Sequence, residues 1–322
     1  MQTLNRIKRT HFTLLFTMML TAAACDSSTE GSMATPDDGA PMTSETRTLE
    51  LAFEGLEALG EGYVYEGWII VDGMPVSSGR FIVDDEGMLD PASFEIDTAY
   101  AEAATTFVLT IEPAEGDDPA PSHVHVLGGD FTDGATSLTI DHAAALGDSF
   151  ADATGSFILE TPSSAEVAED HHQGVWWLEM TEAGPAPSLN LPELPDGWVY
   201  EGWVVGADGP VSTGRFTAAD AEDTDGAGPY AGPDGAPPFP GQDFIDPAMS
   251  LIGATVVISV EPQPDDSPAP FALKPLVLGS VADSDPGVSQ VMDNHADMVI
   301  TGSAWFAVAS IDMVPQDDPD LR

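Results

Sequence analysis

The sequence predicts an all-β chain of two tandem, sandwich-like domains, and three observations carry that reading. Two blocks recur in the same order. Gly62-Tyr-Val-Tyr-Glu-Gly-Trp68 returns as Gly197-Trp-Val-Tyr-Glu-Gly-Trp203, and Pro75-Val-Ser-Ser-Gly-Arg-Phe81 returns as Pro210-Val-Ser-Thr-Gly-Arg-Phe216, both displaced by 135 residues. A further pair, Phe107 to Pro113 and Val256 to Pro262, alternates apolar and small or polar residues with the period of two that marks a strand with one deeply buried face. Short apolar runs bounded by Gly, Asp and Pro fill the rest, with little helical periodicity, as in sandwiches.

In chain order, residues 1–24 hold Arg6, Lys8 and Arg9 before the apolar run Phe12 to Ala24, the layout of an export signal. The run is shorter than the roughly 20 residues a spanning helix needs. Cys25, the only cysteine, follows Ala22-Ala23-Ala24 in a pattern similar to the lipobox of bacterial lipoproteins. That similarity implies a lipid on Cys25; the alternative is plain secretion with a free N-terminal thiol. Residues 25–48 are rich in Ser, Thr, Gly, Pro and Asp and read as a disordered tether.

The first domain is assigned to residues 49–183 and the second to 184–314, followed by an acidic tail at 315–322. Tyr63 to Val71 and Trp198 to Val205 are aromatic and β-branched runs ending at Asp72-Gly73 and Asp208-Gly209, so each is expected to open a hairpin. Further strands are expected at Thr136 to Ile140, Ser156 to Leu159, Gly174 to Met180 and Ala304 to Ser310. A short helix at Ala143 to Leu146 is a weaker expectation. Thr154-Gly-Ser156 and Thr301-Gly-Ser303 mark the same late strand in each copy. The Phe107 and Val256 blocks are offset by 149, so the second copy holds 14 additional residues, which fall in the Gly/Pro-rich insert at 226–242. Tyr230 and Phe239 make that insert a candidate binding loop.

The 322 residues include 8 Lys and Arg against 55 Asp and Glu, a net charge of −47. Such a chain repels phosphate backbones, which excludes a nucleic-acid binder. The acidic surface reads first as solvation; divalent-cation binding is the second reading, since Asp84-Asp85-Glu86-Gly87, Asp117-Asp118 and Asp265-Asp266 are short, turn-like and lack EF-hand spacing. No metal site and no cofactor are assigned.

Past the leader, Arg47, Arg80, Arg215, Lys274 and Arg322 are the basic residues. Arg80 and Arg215 occupy matching positions, as do Glu66 with Glu201 and Glu112 with Glu261. Each Arg is expected to pair with one of these carboxylates as a structural ion pair, because a guanidinium forks onto a carboxylate and an unpaired one against a sheet is costly. Anion or partner binding is the alternative. His123 and His125 would share a strand face, and His171-His172 lie beside Asp170, but the second copy has Ala272 and Lys274 where the first has His123 and His125, so solvent-facing histidines are favoured over a metal site. Trp176 and Trp177 should face opposite ways, one in the core and one as a cover between domains. No Ser/His/Asp set, Gly-x-Ser-x-Gly elbow, His-Glu-x-x-His or phosphate-cradling glycines are present, so no enzyme is expected.

Tyr65 to Trp68, Gly73 to Phe81 and Leu109 to Pro113 with Pro119 to Pro121 resemble the extracytoplasmic C-terminal domain of RskA-type anti-sigma-K factors. The likeness runs from about Leu49 to Phe131 and again from about Leu194 to Leu278. It implies a membrane-bound, extracytoplasmic β-module that senses or binds a partner, and carries over no catalytic residue. In that family a cytoplasmic sigma-binding domain and a membrane helix come first, whereas here only the leader precedes the tether. The expected role is therefore a lipid-anchored, exported module of the cell envelope that binds an envelope protein. The alternative is a structural or adhesive surface lipoprotein whose acidic surface takes divalent cations.

Overall fold

The computed structural model describes residues 45–164, 168–223, 238–264, 267–296 and 300–307. Cys25 and the leader lie outside them, as do Tyr230, Asp265-Asp266 and Arg322. The regular structure of the described residues is nearly all β.

The first repeat begins with β1 (Thr46–Glu54), whose first residues lie in the stretch assigned to the tether. It continues with β2 (Tyr63–Val71), β3 (Met74–Val83), β4 (Leu89–Asp90), β5 (Ser93–Asp97), β6 (Ala104–Pro113), β7 (His125–Asp130), β8 (Ala135–Leu138) and β9 (Thr154–Leu159). One turn of helix, α1 (Thr98–Ala103), links β5 to β6, and Asp97 caps it by accepting from the Ala99 amide at 2.8 Å. So short a helix leaves no periodic signal in a sequence. Ala143 to Leu146, the expected helical stretch, forms turns instead. There His125 Nδ1 and the Ala144 carbonyl lie 2.9 Å apart.

The second repeat holds β10 (Gly174–Trp176), β11 (Leu178–Thr181), β12 (Gly184–Pro187), β13 (Leu189–Asn190), β14 (Trp198–Gly206), β15 (Gly209–Phe216), β16 (Gly241–Asp243), β17 (Thr255–Pro262), β18 (Leu276–Leu278), β19 (Gln290–Val291), β20 (Asp293–Asn294) and β21 (Thr301–Phe306). Two five-stranded sheets correspond: β4-β3-β2-β6-β7 and β15-β14-β17-β18-β20. Both hairpins carry a bulge at the same place, between Gly67 and Trp68 and between Gly202 and Trp203. Across from it, Gly79 (φ 136°) and Gly214 (φ 120°) adopt a backbone that L side chains rarely take.

The remaining sheets reveal how the repeats are joined. β21, the last strand of the second repeat, lies between β1 and β8 of the first, with Leu49 opposite Phe306, Leu51 opposite Ala304 and Gly302 opposite Leu138. β9, the last strand of the first repeat, pairs instead with β10, β13 and β19 of the second. Equivalent residues make equivalent pairings: Gly302 faces Phe53 and Gly155 faces Leu189, while Phe306 faces Leu49 and Leu159 faces Val175. Each late strand therefore completes the other repeat's sheet.

This register also shows that the second copy of β1 starts at Gly174. There the strand is broken into β10 and β13, with the hairpin β11–β12 inserted between them. The division at 183/184 expected from the sequence falls inside that hairpin. The described residues of Ser44–Arg322 form one compact unit, and one apolar cluster runs through both repeats, from Leu49, Tyr65 and Phe107 to Tyr200, Phe216 and Phe306.

The exchanged strands need glycine where they meet the partner core. A Cβ on Gly302 would lie 2.4 Å from the Phe53 ring, and one on Gly155 would lie 2.7 Å from both Leu189 and Leu276. Gly302→Val is expected to destabilise the fold by about 1–3 kcal/mol, the usual cost of overpacking. Trp305→Phe, on the more exposed side of the same strand, should cost less. Thermal unfolding of the two variants checks this; equal midpoints would show that β21 is not seated in the first repeat.

Candidate functional site

On the five-stranded sheet of the first repeat, Tyr65, Ile69, Phe107 and Leu109 join the main core, and the alternate residues face the other way. That second face holds Glu66, Trp68, Ser77, Arg80, Thr110 and Glu112. Residues three apart in a regular strand point to opposite sides, yet Ser77 and Arg80 both reach Glu66. The bulge at Ser78 makes this happen by shifting the alternation by one residue.

Glu66 accepts from Arg80 Nε at 2.9 Å and from the Ser77 hydroxyl. Arg80 Nη2 also donates to Asp117 at 2.6 Å and to the Pro113 carbonyl at 2.7 Å. Trp68 Nε1 donates to Thr110 Oγ1 at 2.9 Å, Thr110 donates to Glu112, and Glu112 accepts the Ser122 amide at 2.8 Å. The second repeat reproduces the set: Arg215 Nε to Glu201 at 2.8 Å, Ser212 to Glu201, Trp203 Nε1 to Ser259 at 2.8 Å, Ser259 to Glu261, and the Phe271 amide to Glu261 at 2.9 Å. The Arg partners are thus Glu66 and Glu201, while Glu112 and Glu261 accept hydroxyl and backbone donors.

All four glutamates are buried, and burial raises the Glu112 carboxyl above the usual carboxylate range, with Asp117 and Glu66 adding to it against the hydrogen bonds from Thr110 and Ser122. Tyr65 and Tyr200 tie each sheet to its leading loop by donating to the Glu57 and Pro192 carbonyls at 3.0 and 2.7 Å, and burial pushes both phenols well up.

These networks hold loops in place. Asp117 and Ser122 belong to the Pro119–Pro121 loop, and Phe271 follows the matching Pro268–Pro270 loop. The second of these loops, with Pro262, Pro268 and Phe271, walls a recess of about 280 Å³ whose other wall is Glu57, Tyr63 and Ile111 of the first repeat. Lys274 donates to the Phe271 carbonyl at 2.6 Å, and burial lowers its ammonium pKa against the pull of Glu57 and Glu261. The arrangement fixes walls and edges.

Other expected features sit elsewhere. Phe239 is buried rather than exposed, packed with Ile158, Trp176 and Leu178. Its immediate continuation, β16, explains this: β16 pairs with β10 as β5 pairs with β1, which draws Phe239 onto the sheet. Trp176 and Trp177 do face opposite ways, but both are buried. Trp177 fills the main core over Gly202, where a Cβ would lie 2.2 Å from its ring. His123 is exposed, His171 Nε2 lies 2.8 Å from the Ser284 carbonyl, and among the described residues no three His, Cys, Asp or Glu side chains gather as metal ligands. Asp84 accepts from the Glu86 and Met88 amides at 3.1 and 2.8 Å, and Asp118 from the Ala120 amide at 3.0 Å, so these acidic stretches close turns. Arg47 stacks on Phe306, 5.2 Å from the ring centre.

Residues 18–125 match the family model described as anti-sigma-K factor rskA, C-terminal. The described part of that span is β1 to β6 with the Pro119–Pro121 loop, including Glu66, Arg80 and Glu112, so the likeness falls on the first repeat. No curated protein and no solved structure was found to match the chain. Among the described residues no helix is long and apolar enough to cross a membrane.

Arg80→Ala is expected to cost about 1–3 kcal/mol, because it leaves the buried Glu66 carboxylate without its main donor. Adding Glu66→Gln should recover part of the loss. A melting temperature untouched by Arg80→Ala would remove the structural reading of the pair.

A second expectation concerns acid. A carboxyl whose folded pKa lies above its unfolded value stabilises the fold fully below the unfolded value and loses that contribution as pH rises through the folded value. Lowering pH from 7 towards 5 should therefore raise the unfolding midpoint. In 1 M salt, where surface repulsion is screened, the rise should be smaller in Glu112→Gln than in the parent. Identical pH slopes in the two proteins would exclude Glu112 as the source.

Proposed function

We infer that the chain is an extracytoplasmic, lipid-anchored binding and regulatory module of the cell envelope, non-catalytic, built from two copies of the RskA-type outer domain. One observation supports this most: the span that matches the anti-sigma-K C-terminal family contains the relay, and both repeats spend their matched charged residues on holding proline loops, one of which walls an open recess. Such a layout suits recognition by surface. The leader and Cys25 support export and lipid attachment, and the family is membrane-associated with its C-terminal domain outside the cytoplasm. The partner is an envelope protein.

The second reading is a structural or adhesive surface lipoprotein that takes divalent cations, favoured by the net charge of −47. In-cell cross-linking of the full chain, with chelator or with millimolar calcium, separates the two. A discrete envelope-protein adduct that persists in chelator is expected, and it should be lost from the membrane fraction in Cys25→Ser. Adducts that form only with calcium, together with a calcium-dependent rise in the unfolding midpoint, would establish the adhesive reading instead.

A further inference from the structure

The outer face of the β5-β1-β21-β8 sheet presents Trp305, 38% exposed, whereas Trp68, Trp176, Trp177, Trp198 and Trp203 are each 3% exposed or less. The register puts Glu50 on one side of Trp305 and Ala135 on the other. In the next row lie Ala52, Ser303 and Ser137, all small, which leaves part of the indole open. Glu95, bonded by Thr46 and Thr48 at 2.5 and 2.8 Å, adds a second carboxylate on the same face. The basic residue on this strand, Arg47, is turned to the other side, over Phe306.

The second repeat shows what this face becomes when it is closed. Ile158 stands where Trp305 does and Trp176 stands where Glu50 does, and with Leu178 and Phe239 they form a sealed apolar cluster. The same place in the same fold is thus an internal core in one repeat and, in the other, an exposed indole beside a carboxylate.

We propose that the Trp305 face binds a cationic segment of a partner protein, an arginine or lysine side chain lying on the indole with its charged end against Glu50. This rests on the binding role above and locates its surface. Tryptophan is the best aromatic partner for a cation, a carboxylate in the adjacent cross-strand position adds a charge-assisted hydrogen bond, and the chain's excess negative charge steers a cation to it. A neutral sugar would also stack on an indole but would gain little from Glu50.

Because the other five tryptophans are buried, acrylamide quenching of the full chain reports mainly on Trp305. A peptide with four arginines on Gly/Ser spacers should protect this fluorescence. By calorimetry its affinity should fall roughly tenfold in Trp305→Ala and several-fold in Glu50→Gln, with Trp305→Phe intermediate. Glu179→Gln, a remote exposed carboxylate, should bind like the parent. Equal affinity in Trp305→Ala and parent would overturn the proposal, as would no binding of the peptide to the parent, or protection by a neutral oligosaccharide that is indifferent to Glu50→Gln. A cross-linked envelope partner that captures Trp305→Ala unchanged would refute this surface while leaving the binding role standing.

Discussion

The exchange of the two late strands is the constraint on which the rest of this structure depends. β21 pairs with β1 and β8, so the N-terminal and C-terminal strands of the folded region are hydrogen-bonded neighbours. A sheet with its central strand removed exposes two unpaired edges and the apolar side chains that strand covered, here Leu49, Leu51 and Leu138. Neither repeat completes both of its sheets from its own residues. This is why one apolar cluster spans both repeats, and why sequence similarity alone is a poor guide to where the chain is divided.

Built on that frame, the matched polar residues act as fasteners. The bulge at Ser78 and its twin at Thr213 bring a hydroxyl and a guanidinium onto one carboxylate, and the neighbouring Thr110 or Ser259 links the Trp indole to a second. Glu66 and Glu201 are each met by a guanidinium and a hydroxyl, and Glu112 and Glu261 each by a hydroxyl and a backbone amide. Their destination is structural: they hold the two proline loops, and one of those loops walls the recess between the repeats. The two copies then diverge on the other sheet, where the second has filled its outer face with Trp176, Leu178 and Phe239 and the first has left Trp305 uncovered.

Much of this was legible in the sequence. The hairpins, the β6 and β17 strands and the likeness of Thr154-Gly-Ser156 to Thr301-Gly-Ser303 follow from repeated blocks and period-two alternation, which are local. Arg80 and Arg215 were matched in the sequence with the carboxylates of Glu66, Glu112, Glu201 and Glu261, whereas the hairpin register and its bulge decided that Glu66 and Glu201 are the partners and that Ser77 and Ser212 join them. Other features were not legible. Phe239 looked exposed because its surroundings are Pro and Gly, yet β16 carries it onto a sheet whose other strands are far away in the chain. The second copy of β1 escaped notice because a hairpin splits it into pieces of three and two residues.

The sequence by itself determined the strand content, the duplication and the identity of the fastening residues, since each is set by patterns within a few dozen residues. Only the tertiary structure decided which repeat each late strand joins. Thr154 to Leu159 and Thr301 to Phe306 have the same alternation and the same glycine, so either could pair with either β1-like edge as far as local chemistry is concerned. Packing settles it, because Gly302 must lie under Phe53 and Gly155 under Leu189 and Leu276. Those contacts join residues well over a hundred positions apart for Gly302 and Leu276, a distance across which no periodicity in the sequence carries information.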